Sequence, residues 1–83
     1  MGVVIHSHAR ERMMNRGASE EEVVAAIKHG ERFLAKQGRQ GFRKNFSFDV
    51  EWRGKRYANK LVELFAVAEN GDWVVVTVIV KFY

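Results

Sequence analysis

Three residues near the start of the chain, His8, Arg12 and Arg16, recur at intervals of four. On an α-helix this spacing puts them on one face, because residues four apart are neighbours on the helix surface. Histidine titrates near neutral pH and can move a proton, and the arginine fork binds phosphate oxygens with two parallel hydrogen bonds. The set suits phosphodiester chemistry. A short basic helix whose arginines lie over a sheet or pair with glutamates explains the same residues, and the pattern alone favours that explanation.

The basic residues are concentrated in the middle of the chain. Residues 31–60 carry nine Lys and Arg against three Asp and Glu, a net charge of +6, whereas residues 1–30 are neutral and residues 61–83 carry −2. Aromatic residues are interleaved with these bases, as in proteins that neutralise phosphates and stack on bases. A solvated basic sheet face over an aromatic core is the alternative, and charge alone favours it. The residues singled out for nucleic-acid contact are Arg39, Arg43, Lys44, Arg53, Lys55, Arg56 and Lys60.

Length and composition exclude several classes of protein. The 83 residues fit one domain, residues 1–83, because independent domains usually have at least about 50 residues. No cysteine is present, which excludes disulfides, thiolate catalysis and cysteine-ligated zinc and favours a reducing cytoplasm. The longest apolar stretch, residues 73–80, has eight residues, far fewer than the roughly 20 that span a bilayer. We therefore expect a soluble, cytoplasmic protein with no membrane partner.

A resident metal or cofactor is not expected. His6 and His8 flank Ser7, but no Asp, Glu or Cys lies near them at ligand spacing. Gly38 and Gly41 do not precede a helix, so they do not form a glycine-rich phosphate loop.

The first third of the chain predicts two short helices. Ser7 is the expected N-cap of a helix over residues 8–16, which Gly17 ends in the left-handed conformation. The apolar stripe of this helix is predicted to be Ile5, Ala9 and Met13. Ser19 and Glu22 have the spacing of a capping box, so a second helix is expected to begin there.

From Glu31 the apolar period changes to two, which is typical of strands. Asn70 and Gly71 have the residue types of a type I′ turn between two strands. The preceding strand is apolar on both faces and should be central. In the last strand, core residues are expected at Val74, Val76, Val78, Val80 and Phe82. The sequence thus predicts an α+β domain with two N-terminal helices packed on a three- to four-stranded antiparallel sheet.

The opening His8-Ala9-x-x-Arg12-Met13-x-x-Arg16-Gly17-Ala18-Ser19-x-x-x-Val23 resembles that of small bacterial and archaeal proteins grouped as domain of unknown function 4258. In these proteins a histidine-alanine pair leads a helix, arginines follow, and a glycine, a small residue and a serine open a second helix. Residues 74–80, with Thr77 among them, are similar to their final strand. The resemblance covers residues 5–30 and 72–83 and leaves the basic middle unmatched.

The resemblance implies kinship with the RelE/ParE-like toxins. Their fold has two N-terminal helices on an antiparallel sheet, many are metal-independent ribonucleases, and some are gyrase poisons. Carried over to this sequence, it marks His8, Arg12, Arg16 and Thr77 as site residues. Lys81 and Tyr83 join them only because they share a strand face with Thr77.

Three hypotheses follow. The first is a metal-independent endoribonuclease: the 2′-hydroxyl of RNA is the nucleophile, His8 transfers a proton, Arg12 and Arg16 hold the phosphate, and Lys81 or Tyr83 assists at the leaving oxygen. The second is a non-catalytic module that uses the basic middle to bind RNA, DNA or an acidic partner such as an antitoxin. The third is a small structural domain without a site. The observation that would best test the catalytic hypothesis is whether His8, Arg12 and Arg16 face the same open groove as Thr77, Lys81 and Tyr83.

Overall fold

Strands and helices follow one another as β1-α1-α2-β2-β3-β4-β5 in the computed structural model, which describes residues 1–83. Their bounds are β1 (Gly2–Ile5), α1 (Ser7–Arg16), α2 (Glu20–His29), β2 (Glu31–Leu34), β3 (Gln40–Trp52), β4 (Lys55–Glu69) and β5 (Asp72–Phe82). The strands form one sheet in the order β1-β5-β4-β3-β2. The strand expected to be central, β4, is the middle one.

The sheet has five strands and is mixed, so the prediction of a three- to four-stranded antiparallel sheet is wrong. The mixed character comes from β1, which pairs with β5 in parallel from Gly2 opposite Asp72 to Ile5 opposite Val75. The spacing of Ile5 from Ala9 suggested a helical stripe instead. A four-residue strand is too short to display a period of two, although its β-branched residues favour strand structure.

The helix ends follow the local chemistry closely. In α2, the Glu22 amide donates to Ser19 Oγ at 3.1 Å and the Ser19 amide donates to Glu22 Oε1 at 2.9 Å, which confirms the capping box. Gly17 ends α1 with φ of 80°. The N-cap of α1 is His6 and not Ser7, since the His8 amide donates to His6 Nδ1 at 3.1 Å.

The core lies between the two helices and one face of the sheet. Its ten buried members come from both helices and the three inner strands: Ala9, Met13, Val23, Ala26, Phe42, Val62, Leu64, Ala66, Val75 and Val78. The other face of the sheet carries no helix, because α1 and α2 both contribute to the core on the first face.

A β-bulge changes which residues of β5 face this core. Ala66 pairs with Val75 but Phe65 pairs with Thr77, so Val76 is an extra residue without a partner. An extra residue reverses the alternation of side chains along a strand. Val75 is therefore buried on the core side together with Val78, and the prediction that Val74 and Val76 belong to the core is wrong.

Candidate nucleic-acid interface

The three residues predicted to form a stripe on α1 differ in how the fold uses them. His8 is exposed and Arg12 is half-buried, and neither side chain makes a hydrogen bond or an ion pair. Arg16 Nη1 donates a hydrogen bond of 2.7 Å to the backbone carbonyl of Val78. Because β1 pairs with β5 only as far as Val75, this carbonyl lies on an open strand edge. The Arg16 guanidinium thus satisfies a backbone group of the sheet.

Thr77, Lys81 and Tyr83 lie on the face of the sheet that the helices leave open. Thr77 is paired with Phe65, and alternates with Val78, which faces the helices. Side chains of successive strand residues point to opposite faces, and Lys81 shares the side of Thr77. The Tyr83 hydroxyl donates to Asn45 Oδ1 on that same side.

The sheet therefore separates the two halves of the predicted catalytic set. His8, Arg12 and Arg16 belong to the helix layer, whereas Thr77, Lys81 and Tyr83 belong to the opposite surface. These six side chains therefore do not face one common groove.

We call the surface opposite the helices the uncovered face. Its central part is formed by alternate residues of three adjacent strands, which pair across β3, β4 and β5. These residues are Arg43, Asn45, Leu61, Glu63, Phe65, Thr77, Ile79 and Lys81.

Four of the basic residues singled out in the middle of the chain are engaged within the fold. Lys60 is only 5% exposed, and its Nζ lies 2.6 Å from Glu22 Oε1 on α2, so its ammonium is not at the surface. Arg53 donates to the backbone carbonyl of Asn15. Two further arginines form ion pairs: Arg56 with Asp49, and Arg43 with Glu31 and Glu63.

Arg43 lies between two carboxylates on the uncovered face, those of Glu31 and Glu63. The N–O distances to Glu31 and Glu63 are 3.7 and 3.9 Å, longer than hydrogen bonds, and the guanidinium lies 4.2 Å from the centroid of the Phe33 ring. Its Nε is buried without a hydrogen-bond partner. Arg43 therefore offsets one of the two negative charges, and the cluster of these three side chains keeps a net charge of −1.

The remaining basic candidates, Arg39, Lys44 and Lys55, form no ion pair. Lys44 and Lys55 lie over aromatic rings, with Nζ 5.4 Å from the centroid of Phe46 and 5.5 Å from that of Tyr57. Arg39 and Lys55 flank opposite ends of β3, a strand of 13 residues whose length is roughly 40 Å. The basic middle is thus not one patch, although it is continuous in sequence.

A pocket of about 460 Å³ opens at the β2–β3 turn, on the margin of the uncovered face. Phe33 and Phe65 form its apolar wall, with ring centroids 5.9 Å apart in an edge-to-face arrangement. The other lining residues are Leu34, Ala35, Lys36, Gln37, Arg39 and Thr77. Two cations and no carboxylate line this pocket, which is a composition suited to an anionic ligand with an apolar part.

Sequence reasoning singled out Arg39 and Thr77 but missed Phe33, Lys36 and Phe65. These residues come from the end of β2, the following turn and the middle of β4, and only the strand register brings them together. A local signal does exist at Gly41, which is paired with Phe33. A Cβ at Gly41 would lie 2.3 Å from the Phe33 ring, so the ring occupies the space of the missing side chain.

No helix is both long and apolar enough to cross a membrane. No group of three or more His, Cys, Asp or Glu side chains lies close enough together to hold a metal ion.

Comparison with known proteins gives one match. The family described as a domain of unknown function, DUF4258, matches residues 5–80, which is nearly the whole chain. The match includes the opening helices, the basic middle and the residues of the uncovered face other than Lys81 and Tyr83. Neither a curated protein nor a solved structure matches the sequence.

Proposed function

The chain belongs to the DUF4258 family, whose description states no activity, and we propose that it is an RNA-binding module that contacts phosphates through the uncovered face. The observation that carries this proposal is the distribution of charge on that face. Arg39 and Lys81 have no ion pair there, and Arg43 offsets one of the two negative charges of the neighbouring Glu31 and Glu63. Cations with no internal partner can displace the counterions of a phosphate backbone.

The helix layer is the less suitable surface for a polyanion. The first turn of α2 carries Glu20, Glu21 and Glu22, and only one of these, Glu22, is neutralised by a buried partner. Arg10 of α1 is paired with Glu20 at 3.3 Å. Residues 1–30, which contain both helices, have no net charge, so this layer attracts a polyanion less than a surface with an excess of cations does, and we assign the contact to the opposite surface.

The experiment is a titration of a labelled single-stranded RNA of about ten nucleotides at several salt concentrations. We expect Arg39→Ala and Lys81→Ala each to reduce the slope of log affinity against log salt by about 0.7, the value for one phosphate contact on a single strand. The matched control is Lys28→Ala, which removes the same charge from an exposed position on α2. Equal effects of all three substitutions, or an affinity that does not depend on salt, would contradict the proposal.

Kinship with the RelE/ParE-like toxins is a second part of the proposal. Two N-terminal helices on one face of a sheet support it, and the parallel strand β1 is an addition to the antiparallel sheet that the resemblance implied. An acidic antitoxin that binds the uncovered face would compete with RNA for Arg39 and Lys81. The same titration detects this competition when the antitoxin is added to the RNA complex.

RNA cleavage is the second candidate function, and one observation favours it. His8 and Arg12 are a helical turn apart and both lack an internal partner. In such a reaction the 2′-hydroxyl would attack phosphorus and lose its proton to His8, Arg12 would hold the phosphate oxygens, and the 5′-oxygen would leave with a proton from water. Lys81 and Tyr83 take no part in this version, because the sheet lies between them and His8.

A further inference from the structure

We propose that the pocket at the β2–β3 turn takes one unpaired nucleobase of a single-stranded RNA, while Lys36 and Arg39 hold the adjacent phosphate. This inference rests on the proposed RNA binding and specifies its ligand. The three parts of the pocket that support it are its aromatic wall, its charged rim and its open position beside the uncovered face.

The packing around Phe33 and Phe65 fixes the aromatic wall of the pocket. The Phe33 ring lies over Gly41, where any side chain would collide with it, and its edge-to-face contact with Phe65 fixes it from the side. The Arg43 guanidinium lies over the same ring, 4.2 Å from its centroid. Because Gly41 and Arg43 already lie against Phe33, this ring supports the wall, and we expect the base to contact Phe65, which lines the pocket and is held in place by Phe33.

The charged rim comes from a short turn with a defined backbone. Gln37 and Gly38 adopt positive φ of 62° and 70°, and the Arg39 amide donates to the Lys36 carbonyl at 3.3 Å. The Ala35 amide in turn donates to the Arg39 carbonyl at 3.3 Å. Lys36 and Arg39 therefore flank one turn, are exposed, and have no carboxylate partner.

An aromatic wall with a charged rim favours a base in a single strand over a base in a duplex. A base within a duplex is stacked and paired, so it reaches a protein pocket only after these contacts are broken, whereas a base in a single strand is already available. Stacking on a phenylalanine accepts any base, because every base has a π-face. Thr77 and Gln37 are the uncharged polar side chains at the pocket, and the Thr77 hydroxyl can hydrogen-bond to a base edge.

The experiment compares four ligands with the full-length protein: a single-stranded RNA of about ten nucleotides, the same sequence as a duplex, a ribose-phosphate strand of equal length without bases, and adenosine monophosphate. We expect the single strand to bind most tightly, and the strand without bases to bind more weakly with an unchanged salt slope. Phe65→Leu should lower affinity for the single strand by roughly 5- to 150-fold, also with an unchanged slope. Tyr57→Leu is the control, since it removes a ring from the far end of the sheet.

Lys36→Ala supplies a second test at an exposed turn position, where the substitution does not disturb packing. It should reduce the salt slope by about 0.7 while the strand with bases keeps its advantage over the strand without them. If single strand, duplex and base-free strand bind equally with a normal salt slope, the pocket proposal is overturned and RNA binding stands. Tighter binding of adenosine monophosphate than of the strand overturns it in favour of a free nucleotide. If no RNA binds at any salt concentration, both proposals fail.

Discussion

The guanidinium of Arg16 on α1 donates a 2.7 Å hydrogen bond to the backbone carbonyl of Val78 on β5. This contact joins the helix layer to the part of β5 that extends beyond its pairing with β1. A carbonyl at such an open edge otherwise depends on water or on another chain. Arg16 therefore stabilises the fold. The sequence motif alone does not show whether an arginine at this position has this structural role or binds phosphate.

The Arg16 contact predicts a stability effect. Arg16→Ala should lower the free energy of unfolding by about 1 to 2 kcal/mol, because it removes a charged hydrogen bond that is partly buried. Arg12→Ala, one turn earlier and without a partner, should change it by less than about 0.5 kcal/mol. Urea unfolding of both variants measures the difference. Equal losses would show that the Val78 contact does not stabilise the fold.

The pair of Lys60 and Glu22 predicts an asymmetry between two substitutions. The lysine side chain is 6% exposed and the glutamate side chain 20%, and Glu22 also completes the α2 capping box. Glu22→Gln should cost roughly 2 to 4 kcal/mol, since it leaves a buried ammonium without its counter-charge, whereas Lys60→Met should cost about 1 kcal/mol or less. Thermal or urea unfolding tests this order, with Glu21→Gln as the exposed control. The reverse order would contradict the assignment of Lys60 to the interior.

The bulge in β5 predicts that two neighbouring valines differ in their effect on stability. Val78→Ala should cost roughly 2 kcal/mol, because Val78 is fully buried among the helices and the sheet. Val76→Ala should cost less than about 1 kcal/mol, since Val76 is the unpaired residue of the bulge. Similar losses in both variants would place Val76 in the core after all.

The cleavage candidate is tested at His8. If His8 transfers a proton, His8→Ala should reduce the rate of RNA cleavage about 100- to 10,000-fold with folding intact, as is usual for a general acid or base. The assay uses mixed RNA with a chelator present, and a His8→Ala preparation purified identically reveals contaminating nuclease. Equal cleavage by the two preparations, or none by either, removes cleavage from the account and leaves RNA binding unaffected.

Local chemistry made most of the elements predictable from the sequence. The Ser19–Glu22 capping box and Gly17 set helix ends, and the Asn70-Gly71 turn has the positive φ values, 52° and 80°, that a type I′ turn requires. The two features of the sheet that were not predicted, β1 and the bulge in β5, depend on pairing between segments that are distant in the sequence. β1 is four residues long and exists because the edge of β5 is available to it, and the bulge at Val76 cannot be read from an unbroken run of β-branched residues.

In the candidate site, too, local properties could be predicted from the sequence and contacts between distant segments could not. The sequence shows the net charge of the middle segment, but not which face of the sheet each basic side chain occupies. Lys60 lies on the helix side and pairs with Glu22, whereas Arg43 lies on the uncovered face beside two acidic side chains. The aromatic wall of the pocket joins Phe33 and Phe65, which are 32 positions apart in the chain. No periodicity within either strand predicts that contact, because it arises from the order of β2, β3 and β4.

The most direct test of the account is to map the RNA-binding surface by amide chemical shifts in the isotope-labelled protein. On addition of a single-stranded RNA, we expect the largest shifts along the uncovered face and the β2–β3 turn, at Phe33, Arg39, Phe65, Thr77 and Lys81, with little change on α2. Shifts confined to α1 around His8 and Arg12, with the uncovered face unchanged, would contradict the proposal and favour the helix layer as the site.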